Sequence, residues 1–142
     1  MGSSGDAIAA LVFTYAERID AGDLPGVAAL FADATYRSQQ GGTYRGSAAV
    51  LEVLSQKVIL HADGTPRTKH VTTNLVVDVD EASGIATARS YFTVLQATDR
   101  LSLQPIVAGR YRDRFVRGAD VWRFDERVIC VDLIGDLRQH LK

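Results

Sequence analysis

The hydrophobic period of this chain changes once. Up to Val58, apolar residues recur at intervals of three and four; from Arg67 onward they recur at every second position. The first spacing is that of an amphipathic helix, the second that of a strand with one buried face. A chain ordered this way places helices first and sheet afterwards. That is an α+β plan, with the helices gathered on one side of an antiparallel sheet.

Within the helical part, Ile8, Leu11, Val12, Tyr15 and Ile19 form one stripe, on a helix expected to begin near Asp6. Gly22 is a natural stop. Asp23 caps a short second helix, tolerant of Pro25 in its first turn, with Leu24, Val27, Leu30 and Phe31 inward. A short strand over Thr35–Gln40 is turned by Gly41-Gly42, and a third helix opens at Gly46-Ser47 with Ser47 as its cap. Ala49, Val50, Val53, Leu54 and Val58 are its buried stripe, and 62–66 is a loop.

In the alternating part, Val71, Thr73, Leu75, Val77 and Val79 share one face, and His70, Thr72, Asn74, Val76 and Asp78 the other. A turn at 81–84 leads to a strand from Ile85 to about Ala97, and a longer connection covers 98–105. The next strand, about Val107 to Val116, puts Arg110, Arg112 and Arg114 on a solvated face and Gly109, Tyr111, Asp113 and Phe115 opposite. After a turn at 118–120, the last strand runs from Val121 to about Leu133. Long, curved strands with three helices on the concave face form a cone around a pocket, within a single domain over 1–142.

Composition removes several function classes. Sixteen basic residues against seventeen acidic ones give a net charge of −1, so nothing draws nucleic acid or an acidic membrane. No apolar run approaches the roughly 18 residues of a membrane span. The opening MGSSGDA lacks the basic start and apolar core of a signal peptide, so a cytoplasmic protein is expected. Cys130 is the only cysteine, so no internal disulfide can form, and within VICVDL it reads as an inert buried thiol. No Cys/His/Asp/Glu cluster has metal-ligand spacing, and no nucleophile elbow, dinucleotide fingerprint or phosphate loop occurs. No metal or cofactor is expected.

The runs YAERIDAGDLPGVAALFADATY, KHVTTNLVVDVD, ATARSYF and GRYRDRFVRGADVWRFDERV resemble the SnoaL-like branch of the NTF2-like superfamily, whose fold is a cystatin-like cone. The pattern is most similar to the bile-acid and scytalone dehydratase type. There a tyrosine and an aspartate on the first helix face a histidine on the sheet, and these match Tyr15, Asp20 and His70. A basic side chain near the bile-acid enzyme's pocket matches Arg127. The resemblance departs at a second pocket histidine of scytalone dehydratase, for which the ATARSYF strand offers only Tyr91. It departs again from ketosteroid isomerase, whose catalytic carboxylate position falls near Ser38.

Each candidate also has a plain structural reading. Tyr15 is either a core tyrosine with a backbone partner or a phenol that donates to a substrate oxygen. Asp20 lies about 140° round the helix from Tyr15, at the flank of the buried face. A carboxylate in the last turn opposes the helix dipole, so a partner such as His70 is the expected reason for it. His61 precedes a loop and His140 lies in the tail, so both are expected to be exposed. Arg127 and Asp113 face each other across the last hairpin, as a structural ion pair or as groups that orient substrate. Tyr91 and Tyr111 are further candidates for substrate contact, while Trp122, Phe124 and Phe92 read as core or interface. Together these imply an enzyme of dehydratase or isomerase type, acting by acid–base chemistry on an apolar carbonyl- or hydroxyl-bearing molecule. The alternative is a non-catalytic ligand-binding or oligomerisation module. A homodimer or homotrimer is expected in either case, through an outer sheet face bearing Val76 or Val94.

Overall fold

The computed structural model describes residues 3–142, so Met1 and Gly2, the start of the opening run, lie outside it. Helix α1, Ser4–Asp20, starts two residues earlier than expected because Ser3 and Asp6 make a reciprocal capping box. The Asp6 amide donates to Ser3 Oγ at 3.1 Å, and the Ser3 amide to Asp6 Oδ2 at 3.2 Å. Its stripe buries Ile8, Val12, Tyr15, Ala16 and Ile19. Gly22 ends it at φ +77°, and a Cβ there would overlap the Gly64 carbonyl oxygen. The close approach fastens the end of α1, and hence Asp20, beside the loop that leads into the sheet.

Asp23 caps α2, Leu24–Ala29, by accepting from the Gly26 amide at 2.9 Å, with Pro25 in the first turn. A hairpin follows, β1 (Thr35–Ser38) and β2 (Thr43–Arg45). The second arm, only three residues long, has no readable period. Helix α3, Ser47–Lys57, is entered through Gly46 at φ +85° without any side-chain cap. Ser47 is therefore its first residue and not the cap expected for it.

Four long strands complete the chain: β3 (Thr68–Asp80), β4 (Ile85–Thr98), β5 (Leu101–Gly118) and β6 (Val121–Ile134). The expected connection at 98–105 shrinks to a tight turn at Asp99-Arg100, and Gln104 and Pro105 already pair with Gln96 and Leu95. All six strands join one sheet in the order β2-β1-β6-β5-β4-β3. One pairing is not antiparallel: β1 runs parallel to β6. Parallel neighbours need a long crossover, and here more than half of the chain lies between the two strands.

Bulges bend the long strands, and the one between Thr73 and Val76 changes the inward face. Asn74 takes a left-handed φ of 54° there. Before it, Thr68, His70 and Thr72 point inward; after it, Leu75, Val77 and Val79 do. The face expected for His70, Thr72 and Asn74 therefore stops at Thr72. Phe31, Phe115, Phe124 and Trp122 fill the end nearest the β5–β6 turn, with ring centroids of Phe31–Phe124 and Phe115–Phe124 at 4.9 and 4.7 Å. Val94, expected on the outer face, is buried at 1% exposure, whereas Val76 is outside at 40%. Among the described residues no helix is long and apolar enough to cross a membrane.

Candidate functional site

The opposite end of the cone stays open. A cavity of about 420 Å³ lies there, walled by Ile19, Phe92, Val94, Val107, Ile129 and Val131. Pockets of this size hold small organic ligands. Its polar lining includes Tyr15 from α1, Ser38 from β1 and His70 from β3, together with His140.

Asp20 sits behind His70. Its Oδ1 accepts from His70 Nδ1 at 2.6 Å and from Thr68 Oγ1 at 2.8 Å, and its Oδ2 accepts from the His70 amide at 2.8 Å. The pair forms because the end of α1 packs against the start of β3, where Thr68 and His70 both face inward. Burial pushes the Asp20 carboxyl up, but the hydrogen bonds and charge of His70 prevail and hold it below the usual range. With Nδ1 bound to the carboxylate, Nε2 is the ring nitrogen left over. It has no hydrogen-bond partner among the described residues and remains accessible in the cavity wall.

Tyr15 is 3% exposed, and its hydroxyl lies 2.7 Å from that of Tyr36. Burial raises the phenol above its ordinary value, with the charge of Arg127 pulling against it. Tyr111 also lines the cavity and stacks on Phe92 at 4.6 Å.

Three of the expected substrate contacts are placed elsewhere. Arg127 and Asp113 are both fully buried, joined by two hydrogen bonds of 2.8 and 2.9 Å, and neither lines the cavity. The guanidinium lies 4.3 Å from the Tyr15 ring centroid and 3.7 Å from that of Tyr111. It is a core ion pair behind the cavity wall, because both side chains point inward from directly paired positions of β5 and β6. Tyr91 is 52% exposed on the outer face, since β4 alternates and its neighbours Ser90 and Phe92 point inward.

Two histidines depart from expectation. His140 is buried at 6% exposure against the cavity, and the half-buried His61 donates from Nε2 to the Gln139 carbonyl at 2.8 Å. The one sequence sign was Leu137 and Leu141, four apart, flanking His140 with an apolar side. Tyr36 was also missed, since a single tyrosine in a short strand carries no distinguishing pattern. Among the described residues no cluster of His, Cys, Asp or Glu could hold a metal ion.

Solved structures share the architecture. Rv3472 from Mycobacterium tuberculosis, a protein of unknown function, is 29% identical with a TM-score of 0.73, over 90% of this chain and 71% of its own. An NTF2-like protein with a cystatin-like fold from Novosphingobium aromaticivorans is 21% identical with a TM-score of 0.75, over 89% and 80%. A putative scytalone dehydratase from the same organism is 23% identical with a TM-score of 0.73, over 93% and 86%. No curated protein sequence matches at a significant level. The SnoaL-like domain profile matches residues 3–128, from the α1 cap into β6, and this chain therefore belongs to the SnoaL-like family.

Proposed function

We propose that this protein binds an apolar small molecule bearing a carbonyl or hydroxyl and moves a proton on it, as a cofactor-independent dehydratase or isomerase. The observation that carries the reading is the Asp20–His70 pair, whose free Nε2 borders an otherwise largely apolar cavity. In this scheme Nδ1–H donates to the Asp20 carboxylate, which fixes the tautomer and leaves the Nε2 lone pair to take a proton from carbon. Asp20 then stabilises the imidazolium that forms, as a carboxylate does behind a catalytic histidine. Either hydroxyl can donate in the Tyr15–Tyr36 contact; this scheme gives that role to Tyr36, so that the Tyr15 proton goes to the oxygen where enolate charge develops. The likeness to a putative scytalone dehydratase agrees with this chemistry. A non-catalytic scaffold would have filled the cone, and the open cavity favours a ligand-binding reading over that rival. In the same reading residues 1–142 act as one cytoplasmic domain that self-associates as a homodimer or homotrimer. Light scattering giving a single-chain mass at micromolar concentration would remove that part.

The test is hydrogen–deuterium exchange next to the carbonyl in a panel of apolar cyclic ketones, together with water loss from their β-hydroxy derivatives. His70→Ala should slow both by roughly 10²–10⁴-fold, the usual contribution of a positioned general base. Its melting temperature should stay near that of the parent, because Asp20 keeps two of its three hydrogen bonds. Unchanged rates in His70→Ala would refute the assignment.

A further inference from the structure

Residues 135–142 fold back onto the cavity and supply part of its wall through Leu137, His140 and Leu141. The segment is anchored on both sides. The Ile59 amide donates to the His140 carbonyl at 2.8 Å, and the Lys142 amide to the Lys57 carbonyl at 2.8 Å. The Gln139 carbonyl accepts from Gln96 Nε2 at 2.9 Å and from His61 Nε2 at 2.8 Å. His140 is thus held in place by backbone bonds on either side of its own ring.

The ring itself makes no hydrogen bond to the described residues. Its Nδ1 is sealed from solvent and unpartnered. Its centroid lies 6.0 Å from that of His70, with the planes at 65°. A proton on the sealed nitrogen would be a buried donor with nothing to receive it. Such donors are rarer in folded proteins than bare acceptors, and a lost partner costs about 1–3 kcal/mol. The proton therefore belongs on Nε2. That nitrogen is not sealed, and the open space the ring borders is the cavity.

We propose that His140 is a second ligand-contacting imidazole, which donates a hydrogen bond from Nε2 to an oxygen of the molecule held against His70. The proposal deepens, and rests on, the reading of the cavity as a substrate site. It divides the labour of two neighbouring rings: His70, backed by a carboxylate, exchanges protons, while His140 binds and stays neutral. The titratable groups around His140 are His70 on β3 with Asp20 of α1 behind it, His61 on the loop before β3, and Lys57 at the end of α3. Burial first, then the charges of His70 and His61, hold the ring down to about 4, with Asp20 opposing. At pH 7 it is an uncharged donor. Its specificity is for an oxygen acceptor, and an ammonium group gains nothing there.

The test uses the whole chain with nitrogen-15 histidine and two probes of one shape, 1-tetralone and tetralin, the second lacking the oxygen. Long-range proton–nitrogen spectra should show His140 neutral at pH 7 and pH 5, with its proton on Nε2. Tetralone should shift the His140 Nε2 signal and bind more tightly than tetralin. In His140→Phe that preference should fall about three- to tenfold, the worth of one hydrogen bond, with tetralin binding unchanged. The proposal is overturned by a proton on Nδ1, by a charged ring at pH 6, or by equal loss of both probes in the variant. Failure of wild type to prefer tetralone, including failure to bind either probe, also overturns it. The tautomer is read on wild type, so it stands even if the variant does not fold. The catalytic reading is judged separately, on exchange rates in His70→Ala, in which His140 is intact.

Discussion

Asp20 accepts three hydrogen bonds with two oxygens, and that count decides what a neutral substitute does. In Asp20→Asn one oxygen becomes an amide nitrogen, so a donor meets a donor either at His70 Nδ1 and Thr68 or at the His70 amide. If the amide nitrogen faces the ring, the proton must move to Nε2 and the base loses its lone pair. We expect exchange activity to fall by roughly 10²–10⁴-fold. The same variant should show a His70 proton relocated to Nε2 in long-range proton–nitrogen spectra. Activity near wild type with the tautomer unchanged would leave Asp20 as a structural helix-end carboxylate. The residues of this pair were legible in the sequence for two reasons. Asp20 stood where the helix dipole disfavours it, and His70 stood at the start of an alternating strand. Whether His70 faced inward depended on the strand register, which a bulge can reverse. The bulge exists, but at Asn74, beyond His70.

Among the elements, the segment 135–142 holds a buried imidazole that makes its docking sensitive to acid. His140 has an ordinary value of 6.5 and is held to about 4 in the folded chain. Between those values the unfolded chain takes up a proton that the folded one refuses. The contribution of this group to stability is therefore flat above about pH 6.5 and is lost as the pH drops towards about 4, by up to about 3 kcal/mol. Releasing the segment relieves the burial without unfolding the sheet, so loss should begin locally. The amides of Ile59 and Lys142, which depend on this docking, should lose hydrogen-exchange protection at pH 5 relative to pH 7. His140→Phe should abolish the difference, and a difference that persists would assign it to another group. The long elements were legible because their periods are sustained. Pairing between segments, which no single-strand period announces, decides the rest. Strand β2 exists because it pairs with β1, and β5 begins at Leu101 because Thr98 pairs with it. The docking of 135–142 rests on bonds to Ile59, Lys57 and Gln96 that no local pattern announces.

At the scale of the whole molecule, the Asp113–Arg127 pair is a charged group inside a hydrocarbon core. Such a pair is costly to break from one side, because the surviving charge has no solvent. Burial pushes the Asp113 carboxyl up against the pull of Arg127, and the attraction of Asp113 holds Arg127 above its ordinary value despite burial. Asp113→Asn should destabilise the chain by roughly 3–5 kcal/mol and lower the melting temperature by about 10 °C or more. The double change Asp113→Leu with Arg127→Met should recover most of that loss, since apolar replacement of a buried pair is often near neutral. Thermal denaturation of the two variants side by side checks both statements. Because the guanidinium lies against the Tyr15 and Tyr111 rings, the double variant also asks whether the cavity needs a cation behind its wall.

Strand β1 finds its inner neighbour only in β6, the last of the six strands in chain order. The hairpin of β1 and β2 is made early and must wait through the synthesis of three longer strands before its place in the sheet exists. Until then its edge is an unpaired template, open to capture by another nascent chain. Completion of this sheet therefore waits on β6, with Ser38 reaching the cavity only when the polypeptide has closed back on β1.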